Sequence, residues 1–488
     1  MQRRTFLLGA ASLAGGGLGA PALIARGARA AEPALPLDDL RKALDPKSAG
    51  LLTPGDAQFA RYLVSYNLRT LLTPQARVLA KAPQGIEAVV AWARANRVGL
   101  AVRSGGHSFE GFSQSRGLVV DTRPLDDIRI DKRADTVSVG AGQSIGAVYR
   151  RVAEEGFAFA AGSCPTVGVA GNTLGGGFGL LARHVGLAAD NLVAVEAVDG
   201  RGRRFTADSA REPDFFWACR GGGGGSFGVV TRFVFRVHPI RQVAVYGVSW
   251  TLPRPQAVRL MQAWQQWAPR ARGELTSVIR IVRNGSELAL RSIGLYVGSE
   301  AALRKELQPL LSAVGTPRPS IQAMSFMGSV NHFAGPDGWT YETKYMKAKS
   351  DYVTSAMSRE GLETLMAGLQ RLAPGAVVVI CDAYGGALER LRADETAFAH
   401  RQGTLYGIQY YSQWGSAGQT PARETALRDL YRSMRPFVSG GAYVNYPDVE
   451  LPEWGPKYWG ANLARLQRVK VHYDPDNVFR HAQSVPLP

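Results

Sequence analysis

Cysteine is scarce. Cys164, Cys219 and Cys381 are the only three in 488 residues, an odd and sparse set that excludes a disulfide framework. No C-x-x-C pair and no Cys/His cluster offers a zinc site. Long apolar runs are missing as well. Past residue 30 nothing approaches the roughly 18 continuous apolar residues of a membrane span, so no stable span is expected of the mature chain. No self-similarity at a period of roughly 20–50 residues marks a solenoid or propeller. Dense Lys/Arg blocks are also lacking: the formal charge of +17 is carried by single and paired arginines, which describes a solvated basic surface and gives no nucleic-acid partner.

Glycine is the one excess. The 56 glycines sit in blocks. Residues 162–179, G-S-C-P-T-V-G-V-A-G-N-T-L-G-G-G-F-G, hold seven of them around Cys164. Glycine reaches positive φ and lets backbone approach a ligand closely, at an entropic cost. Residues 103–113, R-S-G-G-H-S-F-E-G-F-S, offer the same kind of surface around His107. A strand over 98–102 runs straight into Ser104-Gly105-Gly106, a geometry in which successive free N–H groups form an anion nest. Cys219 and Cys381 end apolar runs (F-F-W-A-C and V-V-V-I-C) and are expected to be small buried hydrophobes. Cys164, in a Gly/Pro/Ser loop, is not of that kind.

The chain then divides. Residues 1–30 hold Arg3-Arg4 ahead of a weakly apolar, Gly/Ala-rich stretch and end in Ala28-Arg29-Ala30. That pattern resembles a twin-arginine export signal, which implies the Tat machinery as a partner and a periplasmic or secreted protein. Residues 40–240 mix helices (86–96, 145–155, 215–218) with strands (117–121, 136–139, 192–198, 229–237). From 241 to 440 the texture is alternating strands between longer helices, among them 243–251, 277–282, 287–297 and a helix that begins near Pro253 and Pro255 and runs through Trp267. This half is expected to be an antiparallel sheet with covering helices. Residues 441–488 are expected to form a strand over 441–446, a helix, and a tail that packs back on the first half.

Four blocks together resemble the berberine-bridge-enzyme-like FAD-linked oxidases, of the vanillyl-alcohol-oxidase type of FAD-binding fold. They are R-S-G-G-H-S at 103–108, C-P-T-V-G-V-A-G-N-T-L-G-G-G-F-G at 164–179, F-F-W-A-C-R-G-G-G-G-G-S-F-G at 215–228, and Y-V-N-Y-P-D…Y-W-G-x-N-L…Y-D-P-x-N-V-F near the C-terminus. The resemblance spans about residues 50–485. It implies an α+β protein: a two-lobed FAD-binding domain over 40–240, completed by 441–488, and a substrate domain over 241–440.

The resemblance also implies FAD held covalently, at its 8α-methyl by His107 and at its C6 by Cys164. Two such bonds fix the ring and suit removal of a hydride from a poorly activated alcohol, with the flavin doing the chemistry and the protein supplying placement and electrostatics. It implies further cofactor contacts at Arg103, Ser104, Gly105, Gly106 and Ser108, at Gly168, Gly171, Asn172, Gly175, Gly176 and Gly177, and at Gly228, Val229, Asn445 and Asn477. Val167, small and three residues past the cysteine, stands where the oxidases admit O₂. Hydride transfer from an alcohol needs its proton removed by a group within hydrogen-bond reach. Relatives use a tyrosine of the Y-x-N-Y segment, here Tyr446 with Tyr443 second. Asp382, in D-A-Y-G-G, resembles the acid that partners it, and Gln409 and Tyr410 resemble substrate contacts. The glutamate base of the alkaloid-closing members has no counterpart, which favours alcohol or sugar-hemiacetal oxidation. The rival readings are a dehydrogenase that passes electrons to another acceptor and a low-turnover flavin-bearing binding protein of the cell envelope.

Overall fold

The computed structural model describes residues 33–315 and 317–488. The export-signal reading of residues 1–30 lies outside them. Short apolar segments build a first sheet of β1 (Ala49–Leu52), β2 (Ala76–Ala80), β3 (Leu100–Arg103) and β4 (Leu118–Asp121). Its order is β1-β2-β4-β3, with β2, β4 and β3 parallel. Strands covered on both faces read as continuous apolar runs, and β2 and β4 are buried throughout. A helix at Pro83–Ala95, with proline in its first turn, lays Val89, Val90 and Ala93 on this sheet without exposure. β3 delivers the chain into Ser104-Gly105-Gly106.

A second, wholly antiparallel sheet contains β5 (Ile128–Asp131), β6 (Thr136–Gly140), β7 (Leu192–Asp199), β8 (Arg204–Ala207) and β9 (Gly228–Arg236) in the order β5-β6-β9-β7-β8. Its core takes in the helix Ile145–Glu154, capped by Ser144, and the helix Pro213–Ala218. These two sheets are the two lobes. The C-terminal segment returns to both. Helices Trp454–Trp459 and Leu463–Tyr473 enter the core of the second lobe, and Leu100 N–H bonds Val478 O at 2.8 Å on the first.

The third sheet has seven antiparallel strands: β10 (Gln242–Leu252), β11 (Leu275–Asn284), β12 (Glu287–Tyr296), β13 (Ser320–Ser325), β14 (Tyr345–Val353), β15 (Val378–Ala383) and β16 (Tyr406–Trp414). The order is β13-β10-β12-β11-β15-β16-β14. Helices Arg254–Trp267, Arg359–Arg371 and Thr420–Met434 cover one face and share its apolar core. The other face roofs the site. From Leu35 to Pro488 the chain is one compact unit. Among the described residues no helix is long and apolar enough to cross a membrane.

One expected element is absent. Residues 441–446 form a turn, not a strand. Tyr446 N–H bonds Tyr443 O at 2.9 Å, Tyr443 N–H bonds the Ser350 hydroxyl at 3.0 Å, and the Asn445 amide bonds Asn172 O at 2.9 Å. With its polar groups spent this way, the segment has no ladder to join, and both tyrosine rings fall on one side.

Candidate active site

The histidine loop and the cysteine loop touch. A Cβ on Gly105 would collide with the backbone of Gly168, and a Cβ on Gly168 with that of Gly105. Gly106 is left-handed at φ 72°, with the Arg103 guanidinium where its side chain would be. The hydroxyls expected to face a diphosphate are engaged elsewhere: Ser104 Oγ donates to Ala141 O at 2.7 Å, and Ser108 Oγ accepts from Phe112 N–H at 2.9 Å. The backbone amides of residues 104–107 have no protein acceptor among the described residues. Arg103 is buried beside Asp121, donates through Nη2 to Val64 O, and keeps Nε and Nη1 unpartnered. Free amides next to a buried cation with spare donors fit an anionic cofactor such as a dinucleotide.

His107 lies flat on Tyr66, with ring centroids 4.4 Å apart, and Tyr341 meets its edge at 5.0 Å. Burial, reinforced by the Arg103 charge, drives its pKa down to about 3. The imidazole is therefore neutral and keeps an unprotonated, nucleophilic ring nitrogen. Its Nε2 lies 3.1 Å from Thr166 Oγ1, and that hydroxyl lies 3.4 Å from Cys164 Sγ. The two expected attachment residues thus share one bridging threonine, which the sequence reading left out.

Past the cysteine, Val167 packs on the core of the second lobe, and Gly168 caps the helix Val169–Leu174. Gly171 has open space where a side chain would go. A Cβ on Gly175 would strike the Asn445 amide, while Gly176 and Gly177 take φ of 119° and 79°. Asn172 accepts from Gly162 N–H and, through its backbone oxygen, holds Asn445. Gly228, Val229 and Asn477 have structural work. Gly228 pairs with Asp199 in the second sheet, Val229 is in the core of the first lobe, and Asn477, at φ 50°, makes the turn that brings the tail onto β3.

The chamber beneath the roof is lined by Phe178, Tyr443 and Tyr446 on one side and by Ser350, Tyr352, Asp382 and Tyr384 on the other. Successive strand residues face opposite ways. Asp382 pairs with Gly407, Ile380 with Gln409 and Gln409 with Ser350, so Asp382 and Gln409 share the roof face. Tyr410 points the other way. It packs edge-on against Tyr431 at 5.6 Å in the helix-covered core, so its expected substrate contact is not formed.

Tyr443 and Tyr446 meet edge to face at 4.9 Å, and Phe109 stacks on Tyr446 with planes 2° apart. Tyr443 OH accepts from Gly177 N–H at 3.0 Å, Phe178 N–H at 3.3 Å and the Asn445 amide at 3.1 Å. Tyr446 OH makes no hydrogen bond among the described residues and faces the chamber. Burial, then the nearby Asp382 charge, pushes the Tyr446 phenol well above its ordinary range. Burial also lifts Asp382 to about 6, and Arg280 opposes that shift.

A buried charge cluster braces the chamber. Lys347 bonds Glu110, three residues past His107, and Asp448 at 2.6 Å, two residues past Tyr446. Lys349 bonds Asp448 at 2.6 Å and pairs with Glu450 at 2.8 Å. Glu110 and Asp448 lie inside motifs already singled out, but neither lysine carried a signal.

Comparison with known proteins follows the same lines. The FAD binding domain family matches residues 74–208, and the berberine and berberine-like family matches residues 442–486. The uncharacterized FAD-linked oxidoreductase YgaK of Bacillus subtilis is 33% identical over 89% of this chain and 96% of its own length. Monolignol oxidoreductase AtBBE-like 13 of Arabidopsis thaliana is 33% identical over 82% of each chain. Among solved structures, BBE-like 1 of Physcomitrella patens superposes with a TM-score of 0.86 at 29% identity, covering 92% of this chain and 99% of that one.

Proposed function

Because this chain belongs to the berberine-bridge-enzyme-like FAD-linked oxidoreductases, we propose that it is an exported alcohol or sugar oxidase whose FAD is held covalently by His107 and Cys164. The chemistry that FAD supplies when bound is acceptance of a hydride and delivery of the electron pair to O₂, which leaves as hydrogen peroxide. The observation that carries the reading is the convergence of Tyr446 and Asp382 on one chamber beside Phe178, with Gln409 on the same roof face as Asp382. The substrate hydroxyl docks on Tyr446 OH, which has no competing hydrogen-bond partner among the described residues. The phenol resists ionisation, so Tyr446 passes the proton on rather than storing it. Asp382, mostly ionised above pH 6 yet basic for a carboxylate, receives it; a base with a pKa near the working pH is the efficient one. Tyr443, fixed by three donors, walls the chamber, and Gln409 orients the substrate.

An alcohol substrate is supported by the relative named for monolignol oxidation and by the lack of a glutamate base. Val167, a small side chain three residues past Cys164, supports access of O₂. Export is supported by the Arg3-Arg4 leader. The test is anaerobic reduction of the purified holoenzyme with a panel of sugars and alcohols, followed by air. An oxidase reoxidises at once and gives one peroxide per substrate. A reduced enzyme that persists in air and yields electrons only to a quinone or dye is a dehydrogenase.

A further inference from the structure

Arg280 and Arg291 stand directly opposite each other on β11 and β12. Strand alternation places both on the roof face. Val278 pairs with Asp382, so Arg280 lies one step along the same face from Asp382. Both arginines are exposed on that face. Like charges directly opposite in an antiparallel pair are destabilising, and most roof-sheet neighbours would be cheaper there. Elsewhere several inward arginines meet an acid: Arg77 pairs with Asp121, Arg401 with Asp190 and Arg435 with Asp351. Beyond the backbone ladder, the side chains of Arg280 and Arg291 hydrogen-bond or ion-pair with no other described residue. Asp382 acts on Arg280 only as a charge at longer range, and Tyr446 lies within the same reach. Arg291 reaches over Gly247, where a Cβ would lie 3.9 Å from its Nη2. Two cations without a side-chain partner thus share the roof face with Asp382 at the edge of the chamber, and Asp382, the acid near them, is committed to the proposed reaction.

We propose that Arg280 and Arg291 form the substrate-specificity site, and that the alcohol oxidised here carries a carboxylate, as in a uronic acid or a hydroxymethyl-benzoate. The inference rests on the proposed alcohol chemistry for the identity of the reacting group, but not for the anion site itself. Diagonal neighbours on one sheet face are about 7–8 Å apart, so the carboxylate and the reacting hydroxyl sit about one ring apart. A guanidinium binds a carboxylate through two parallel N–H···O bonds, which fixes orientation as well as affinity. One ring-sized substrate held by its acid end would place its hydroxyl at Tyr446.

The test separates binding from turnover. Calorimetric titration of the holoenzyme with 4-methylbenzoate, which lacks the reacting hydroxyl, and with its methyl ester, at low and high salt, reads the anion site without chemistry. The acid is expected to bind at least tenfold more tightly than the ester, to weaken with salt, and to lose at least tenfold in Arg280→Gln and Arg291→Gln, with Arg280→Lys in between. Both side chains are exposed, so folding is checked simply by flavin content. Turnover of galacturonate against galactose, and of 4-(hydroxymethyl)benzoate against its methyl ester, gives the specificity ratio, which should favour the acid and collapse in Arg280→Gln. Equal binding of acid and ester, or acid binding indifferent to both arginines, overturns the inference. Tight, arginine-dependent binding of the acid with no oxidation of any alcohol sustains the anion site and counts against the alcohol chemistry instead.

Discussion

Gly105 and Gly168 meet through bare backbone, each occupying the space into which the other's side chain would grow. That contact brings the loop of His107 against the loop of Cys164 and leaves Thr166 bridging the two reactive side chains. A methyl group at either glycine must push the loops apart. Gly105→Ala and Gly168→Ala are each expected to cost about 3 kcal/mol and to leave the chain with little bound flavin. Thermal unfolding and the ratio of flavin to protein absorbance check this. Gly171→Ala, where space is open, should be close to neutral and serves as the control.

The lysine cluster makes a second claim. Lys347 is buried between Glu110 and Asp448, with its side chain 1% exposed. Removing one partner of a buried ion pair strands the other charges, which costs about 3–5 kcal/mol. Lys347→Met should therefore unfold at far lower denaturant than wild type. Because Glu110 and Asp448 sit beside His107 and Tyr446, any folded fraction should also attach flavin slowly. A variant that unfolds as wild type does would show that the cluster is not holding the chamber.

Asp382 gives a pH dependence with a definite sign. Its pKa in the folded protein is raised to about 6 from 3.8. In its proposed role as proton acceptor it must be ionised, so kcat/KM should fall as pH drops through about 6. In Asp382→Asn that limb should vanish and the rate should drop by roughly 10²–10⁴. Stability runs the opposite way. A raised carboxyl favours the folded state below its unfolded pKa, and that benefit is lost as pH rises through 6. At pH 8 the ionised Asp382 costs about 2 kcal/mol, after allowing for its partial exposure. Asp382→Asn should then be more stable than wild type at pH 8 and equal to it below pH 4. Chemical denaturation at the two pH values decides.

The first lobe and the glycine blocks were legible because their chemistry is local. A buried parallel strand is a short apolar run, and Gly176 and Gly177, at φ of 119° and 79°, leave their type in the sequence wherever they occur. The roof sheet was harder. β14 reads Y-M-K-A-K-S-D-Y-V, and period-two reasoning sends Lys347, Lys349 and Asp351 to solvent. In the fold they face inward, each neutralised by a residue distant in sequence. Gln409 and Tyr410 pose the same problem: adjacent residues must face opposite ways, but with both faces of the sheet covered, polarity alone does not say which one sees the chamber. The turn at 441–446 escaped because alternating aromatics mimic a strand. What bends it is a set of bonds to Ser350 and Asn172, nearly a hundred residues away at the least. The arginine pair was invisible until β11 and β12 were in register.

The central claim is that His107 and Cys164 both hold the cofactor. The most direct measurement is the intact mass of the purified, denatured protein with a peptide map. The account predicts one FAD retained per chain, on a cross-linked species containing the peptides of both His107 and Cys164. Release of free flavin on denaturation, with both peptides at unmodified mass, would contradict it.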